Sequence, residues 1–304
     1  SFAFNYADGD GRPDEIVAND STAPQMFLNR GSAGFSEEAL PAGMAYNEDG
    51  GSFAGMGVDF EDYDNDGHPD VVATALAKEL YPLFRNAGDG TFAYVTRQTG
   101  LAEITARLSG WSVKFADLNH DGWKDLFATQ SHVLDNVGML EPDLAYLQPP
   151  LLALNTGRRF VDIGASAGPV FQAAIAGRGA AFGDLDNDGD IDLVVAVLDD
   201  VPKVLYSNAS ASGSHWLQIR LVGRASARDG QGAIVSVRTP SDREQVRYGT
   251  TAGGYLSAND PRLHFGLGAE SVVSKLTVRW PSGARQVLRD IEADRMIIVR
   301  EPES

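Results

Sequence analysis

The stretch "DYDNDGHPD", residues 62–70, places Asp62, Asp64, Asp66 and Asp70 in nine positions. Two carboxylates held about 4 Å apart repel by roughly 1 kcal/mol in water and by more where water is thinned out, so a chain that folds around this stretch needs a counter-charge. The spacing says where that charge belongs. Acidic residues at alternate positions of a tight loop turn their oxygens to one point, and Gly67 lets the backbone reverse beneath them.

The pattern repeats. "FEDYDNDGHPDVVAT" at 60–74 returns as "FADLNHDGWKDLFAT" at 115–129 and "FGDLDNDGDIDLVVA" at 182–196, with a further copy, "FNYADGDGRPDEIVA", at 4–18. Aligned on Phe4, Phe60, Phe115 and Phe182, the copies are 56, 55 and 67 residues apart, a period that suits one supersecondary unit per copy. Small-residue lead-ins such as "GMGVDF" and "GWSVKF" bring a strand into each loop, and apolar runs such as "DVVATAL" and "DLVVAVL" carry one out. Asn and Gly in "LFRNAGDGTFAYV" mark a later hairpin. Each unit reads as about four short strands, and four-stranded units repeated radially make a β-propeller. Helical periodicity is confined to "AEITARL" at 102–108 and "EPDLAYL" at 141–147.

The shared DxDxDGxxD loop calls for a hard cation with oxygen ligands. Ca²⁺ accepts six to eight oxygens in flexible geometry, backbone carbonyls included, whereas Mg²⁺ tends to keep its waters. The second copy offers Asp62, Asp64, Asp66 and Asp70 with the carbonyl of His68; the third offers Asp117, Asn119, Asp121 and Asp125 with that of Trp123. The fourth offers Asp184, Asp186, Asp188 and Asp192 with the carbonyl of Asp190. In the first copy Tyr6 stands where the leading aspartate belongs, so Asp8, Asp10 and Asp14 are expected to make a weak or empty site. An EF-hand would need flanking helices and a glutamate at its twelfth position, where Ala73, Ala128 and Val195 stand. The loop histidines His68 and His120 are expected to face solvent rather than bind metal.

Composition agrees with this chemistry. The 304 residues hold 42 acids against 25 basic residues, a net charge of −17, which disfavours nucleic-acid binding and favours cations or basic partners. Cysteine is absent, so disulfides, thiolate catalysis and thiolate zinc sites are excluded. No run of eighteen apolar residues could span a bilayer. The opening "SFAFNYADGD" lacks a basic region followed by an apolar stretch, so an export signal is expected to have been removed or never present.

From residue 212 the loops give way to alternating segments, among them "WLQIRLVG", "AIVSVRT" and "KLTVRWP", which read as a β-sandwich or small barrel. The expected division is 1–211 for the repeats and 212–304 for this module. Arg220, Arg224, Arg228, Arg238, Arg243 and Arg247 gather there and are expected to decorate solvent faces or pair with nearby acids; Trp280 is expected in the core. Ser257, Asp260 and His264 supply triad side-chain types, but one short β-segment turns them to alternating faces and no GxSxG elbow accompanies them.

On these residues the repeats resemble the FG-GAP/VCBS repeats of integrin-like β-propellers, whose blades carry Ca²⁺ in a DxDxDG loop. The blocks "HWLQIRLVGRASARDGQGAIVSV", "GGYLSANDPRLHFGLG" and "LTVRWPSG" resemble the ASPIC/UnbV domain of the cartilage acidic protein-like family. The segment 131–155 resembles the long loop that such proteins carry before their last blade. The resemblance implies a calcium-stabilised protein that is secreted, periplasmic or on the cell surface, without established catalytic activity.

The leading expectation is therefore a non-enzymatic binding or structural module for extracellular protein or glycan partners. The alternatives are an enzyme acting on polysaccharides or esters at the propeller channel or the domain junction, and a subunit of a larger surface assembly.

Overall fold

Alternating apolar residues in short runs, broken every few positions by Gly, Asn and Asp, leave the chain little choice but strands. The computed structural model describes residues 1–303, with 211 and 212 described by backbone alone. The expected division between 211 and 212 falls on those two residues, whose side chains lie outside the description.

The repeats form four antiparallel sheets in sequence order. The first holds β1 (Phe2–Asn5), β2 (Asp14–Val17), β3 (Gln25–Asn29) and β4 (Phe35–Glu37). The second holds β5 (Val58–Glu61), β6 (Asp70–Ala73), β7 (Leu83–Asn86) and β8 (Phe92–Tyr94). The third holds β9 (Gly110–Ala116), β10 (Asp125–Gln130), β11 (Leu151–Asn155) and β12 (Phe160–Asp162). The fourth has three strands among the described residues, β13 (Gly177–Gly183), β14 (Asp192–Val197) and β15 (Lys203–Leu205). Every acidic loop is the connection between the first and second strands of its sheet, so all four loops occupy equivalent places.

The sheets pack in a row through their first strands, β1 on β5, β5 on β9 and β9 on β13. Ile16, Met26, Phe60, Val71, Leu83, Val113 and Leu126 form one apolar cluster shared by the first three, and Phe127, Phe182 and Leu193 belong to a second between the third and the fourth. Burying side chains of this size stabilises by about 1.5–3 kcal/mol each, which is what keeps short sheets together. Two buried ion pairs stitch the second sheet to the third: Lys114 Nζ stands 3.2 Å from Asp59 Oδ1, and Lys124 pairs with Glu61. The sheets do not close on one another.

The helix expected near residue 102 forms as α1 (Leu101–Thr105), whereas 141–147 is turn and bridge. The nearby α2 (Val137–Leu140) stops at Glu141, whose extended backbone is what a following proline, Pro142, imposes.

The C-terminal module contributes two further sheets. One orders β19 (Leu263–Gly268), β16 (His215–Val222) and β22 (Arg295–Arg300), with β16 and β22 parallel. The other orders β18 (Glu244–Tyr248), β17 (Ile234–Arg238), β20 (Val272–Arg279) and β21 (Arg285–Glu292). Leu217, Val235, Phe265, Leu276 and Val278 from both sheets share one core, and Trp280 lies in it as expected.

The segment 249–262 leaves this module and reaches the first strands of three repeat sheets. Gly254 N–H donates to the Val58 carbonyl at 2.9 Å, Tyr255 N–H to Ser112 Oγ at 3.1 Å, and Asp260 N–H to the Phe182 carbonyl at 2.9 Å. Thus the C-terminal module is seated on the repeats.

Candidate metal centres

All four loops share one backbone. Left-handed conformations recur at the fourth position, at Gly9, Asn65, His120 and Asn187, and again at Gly11, Gly67, Gly122 and Gly189. Asn and His tolerate the first of these positions better than most residues, and glycine fits the second without strain.

The last aspartate of each loop holds that backbone in shape. Asp70 accepts the N–H of Tyr63 and of Asn86, and Asp125 accepts those of Leu118 and Asn155. Asp192 does the same with Leu185 and Ser207, and Asp14 with Ala7 and Asn29. Each carboxylate thereby ties its loop to the third strand of the sheet or the residues just beyond it. Burial raises the carboxyl pKa of Asp70 and Asp125 well above the ordinary value and takes that of Asp14 to about 6.

The leading aspartates behave differently. Asp62, Asp117 and Asp184 are buried, and each spends Oδ2 on the glycine N–H of its own loop, at 3.0 Å to Gly67, 2.9 Å to Gly122 and 3.1 Å to Gly189. The other oxygen, Oδ1, has no hydrogen-bond partner in any of the three. A buried, unpaired carboxylate oxygen costs several kcal/mol unless something positive meets it, and three such oxygens at one equivalent position fit a cation. Burial accordingly pushes the Asp62 carboxyl up to about 6 and that of Asp117 up to about 7 in the ion-free state.

Around these anchors the loops gather further oxygens. Asp62, Asp64 and Asp70 offer oxygens within 4.8 Å of one another, and so do Asp184, Asp186 and Asp188. In the third loop Asn119 and Asp121 are hydrogen-bonded to each other, Nδ2 to Oδ2 at 3.0 Å. Asp66 faces outward in the second loop, where Arg85 reaches Asp64 at 2.6 Å and Asp66 at 2.7 Å. The residues expected to lend carbonyls put their side chains elsewhere: His68 lies against Gly88, Trp123 against Gly157, and Asp190 accepts from the backbone and hydroxyl of Ser210.

The first loop lacks the anchor. Tyr6 occupies its place and its hydroxyl donates to the Gly232 carbonyl. Asp8 pairs with Arg30 at 3.3 Å and Asp10 with Arg12, so these two acids already have cations, while Asp14 serves the backbone.

Two expectations about neighbouring residues fail. His120 is fully buried rather than solvent-facing, with its ring 4.9 Å from that of His264, because the C-terminal module covers the third loop. Arg247 is buried too, so the solvent face expected for it fails while the expected nearby acids are there: its guanidinium donates to Gln245 Oε1 and the His264 carbonyl, and the charges of Glu61, Asp117 and Asp62 act on it. Ser257, Asp260 and His264 do not assemble: Ser257 donates to the Tyr255 carbonyl, Asp260 binds Arg262, and His264 Nε2 faces the Gly189 carbonyl at 3.1 Å.

Sequence reasoning missed the asparagines that brace the loops. Asn86 Nδ2 donates to the carbonyls of Ala7 and Pro69, and Asn155 Nδ2 to those of Tyr63 and Lys124, so each links its own loop to the loop of the preceding sheet. Their signal was present as the recurrent ending of "MFLN", "LFRN" and "LALN".

Comparison with known proteins matches residues 7–73 and 80–128 to the FG-GAP-like repeat and residues 223–304 to the ASPIC and UnbV family. Cartilage acidic protein 1 of Xenopus tropicalis is 28% identical across 93% of this chain and 49% of its own length. The Mus musculus protein of that name is 25% identical across 99% of this chain and 52% of its own. The chain therefore spans about half the length of these relatives. Among solved structures, an Agrocybe aegerita lectin that recognises non-reducing terminal N-acetylglucosamine covers 70% of this chain and 67% of its own at 19% identity, with a TM-score of 0.31, too low to carry an argument. The chain thus carries FG-GAP-like repeats that lead into an ASPIC and UnbV domain.

Proposed function

We propose that this chain is a calcium-stabilised binding or structural module of a secreted or cell-surface protein, its four repeat sheets forming part of a β-propeller. The observation that carries the reading is the threefold recurrence of a buried leading aspartate with one unpaired oxygen, in Asp62, Asp117 and Asp184. Ca²⁺ would be held there by those residues with Asp64, Asp70, Asn119, Asp121, Asp186 and Asp188, and it would supply the charge that lets the carboxylates stay ionised together. No redox or hydrolytic chemistry is asked of it.

The chain's partners are extracellular proteins or glycans, and it has no catalytic site of its own. A cavity of about 100 Å³ does lie at the junction of repeats and C-terminal module, lined by Lys114, Asp117, Asp184, Arg247 and Arg262. Lys114, Lys124 and Arg262 there are each paired with an acid, in Asp59–Lys114, Glu61–Lys124 and Asp260–Arg262. Turnover of a glycan or ester that disappears in Asp260→Ala would replace this reading with an enzymatic one.

Calcium titration of the EDTA-stripped chain tests the metal sites. Three ions per chain and a marked rise in melting temperature are expected, since an ion at a hundredfold its Kd stabilises by about 2.7 kcal/mol per site. Equal melting in EDTA and in millimolar Ca²⁺ overturns the proposal.

A further inference from the structure

The C-terminal module touches every acidic loop. Tyr6 meets the Gly232 carbonyl in the first; the Tyr248 hydroxyl donates to the Gly67 carbonyl in the second; Arg243 donates to the Asp121 carbonyl in the third. The fourth loop is gripped most fully. Gln218 Nε2 donates to Asp184 Oδ2 at 2.8 Å, and Arg262 donates to the Asp184 carbonyl while standing 3.7 Å from Asp184 Oδ2. The same guanidinium reaches Asn187 Oδ1 at 3.0 Å and Gln218 Oε1 at 3.4 Å, and Asp260 fixes it from behind at 2.8 Å.

These approaches are close enough to constrain sequence. A Cβ on Gly189 would fall 1.9 Å from the Trp216 ring, and one on Gly266 would fall 2.0 Å from Asp117 Oδ2. The two bodies are therefore fitted to one another at the loops themselves.

The consequence for Asp184 is geometric. Its Oδ2 is occupied by Gly189 N–H from its own loop and by the Gln218 amide from the other module, which fixes the carboxylate plane. Its Oδ1 is left buried and unpartnered. A ligand whose orientation is set in this way loses less freedom when it meets an ion, and partners of this kind are worth about 10–100-fold in metal affinity.

We propose that the C-terminal module completes the divalent-cation site of the fourth loop: Gln218 and Arg262 are positioning residues that aim Asp184, so that ion occupancy and docking of the module are thermodynamically linked. This rests on the calcium reading above. Linkage is reciprocal, so the ion holds the module down as strongly as the module sharpens the site.

The test is calorimetric calcium titration of the full, EDTA-stripped chain. Gln218→Leu removes the amide at nearly constant volume, and Arg262→Lys keeps the charge but cannot bridge Gln218 and Asp184. In each variant one of the three sites is expected to weaken about tenfold while the other two hold. Melting in EDTA should fall by what the deleted hydrogen bonds contribute, and in Ca²⁺ by more, so that the calcium-dependent increment shrinks. Unchanged affinity at all three sites in both variants overturns the proposal, as does a loss of melting temperature that is equal in EDTA and in Ca²⁺. A wild-type chain that binds no ion refutes the calcium reading instead, a result that separates the two.

Discussion

The first acidic loop and the three that follow it are a natural control for one another. They share left-handed turns, a closing aspartate and its two backbone bonds, yet only the later three begin with aspartate. Where Tyr6 replaces that residue the loop still forms, because Asp14 still accepts the N–H of Ala7 and of Asn29 in β3. The loop's shape and its ion chemistry are thus separate inventions: the closing acid makes the shape, and the leading acid makes the charge problem that an ion solves.

The largest effect should come from removing a closing acid. Asp125→Ala strands the buried N–H groups of Leu118 and Asn155, at roughly 1–3 kcal/mol for each unsatisfied donor. Chemical denaturation should show that loss with or without calcium, and Asp14→Ala should match it in a loop where no ion is expected. If Asp14→Ala costs little, the closing acid does not shape the loop.

Removing a leading acid should act only through the ion. Asp117→Asn keeps the volume and mimics the protonated carboxyl, so in EDTA it should be almost silent. In Ca²⁺ at a hundredfold Kd it should lose about 2.7 kcal/mol and one bound ion per chain. Equal destabilisation in both buffers would erase the distinction between the loops.

Acidity sharpens the same contrast. Asp62 and Asp117 have folded pKa values of about 6 and 7, above the ordinary 3.8, because burial disfavours their charge. The ion-free folded chain therefore binds more protons than the unfolded one between those values, and its stability falls as pH rises through that window. Measured against Asp117→Asn, whose side chain does not titrate, the wild-type chain in EDTA should gain stability from pH 7.5 to 5. With Ca²⁺ present protons compete with the ion, so that difference should vanish or reverse. A difference in EDTA that does not grow on acidification would contradict the assignment.

The smallest effect belongs to Tyr6→Phe, which deletes the hydrogen bond to Gly232 at about 1 kcal/mol. It should leave calcium stoichiometry untouched.

Much of this was legible in the sequence, and the rest was hidden for identifiable reasons. Two DxDxDG stretches and a third with Asn119 at its middle ligand position disclose the repeat, the strands around it and the oxygen-rich loops, since those depend on residues within about a dozen positions. The seating of Arg243 and Arg262 on the loops depends on residues far apart in sequence, so Arg243 read as one of a cluster of arginines on solvent faces or paired with nearby acids. His120 looked solvent-facing for the same reason: nothing local announces that another module will cover it. At 141–147 the apolar periodicity suggests a helix, but Pro142 at its second position holds Glu141 extended and no helix forms there.

The reach of segment 249–262 into the repeat sheets also sets the order in which the molecule can be completed. Tyr248 and its loop partner Gly67 are 181 residues apart, and Tyr255 meets Ser112 across 143. Pairings this distant form late, because a long stretch of chain must first be drawn together. During synthesis the earlier sheets therefore wait, with their first strands only partly covered, until residues 249–262 have been made and can reach them.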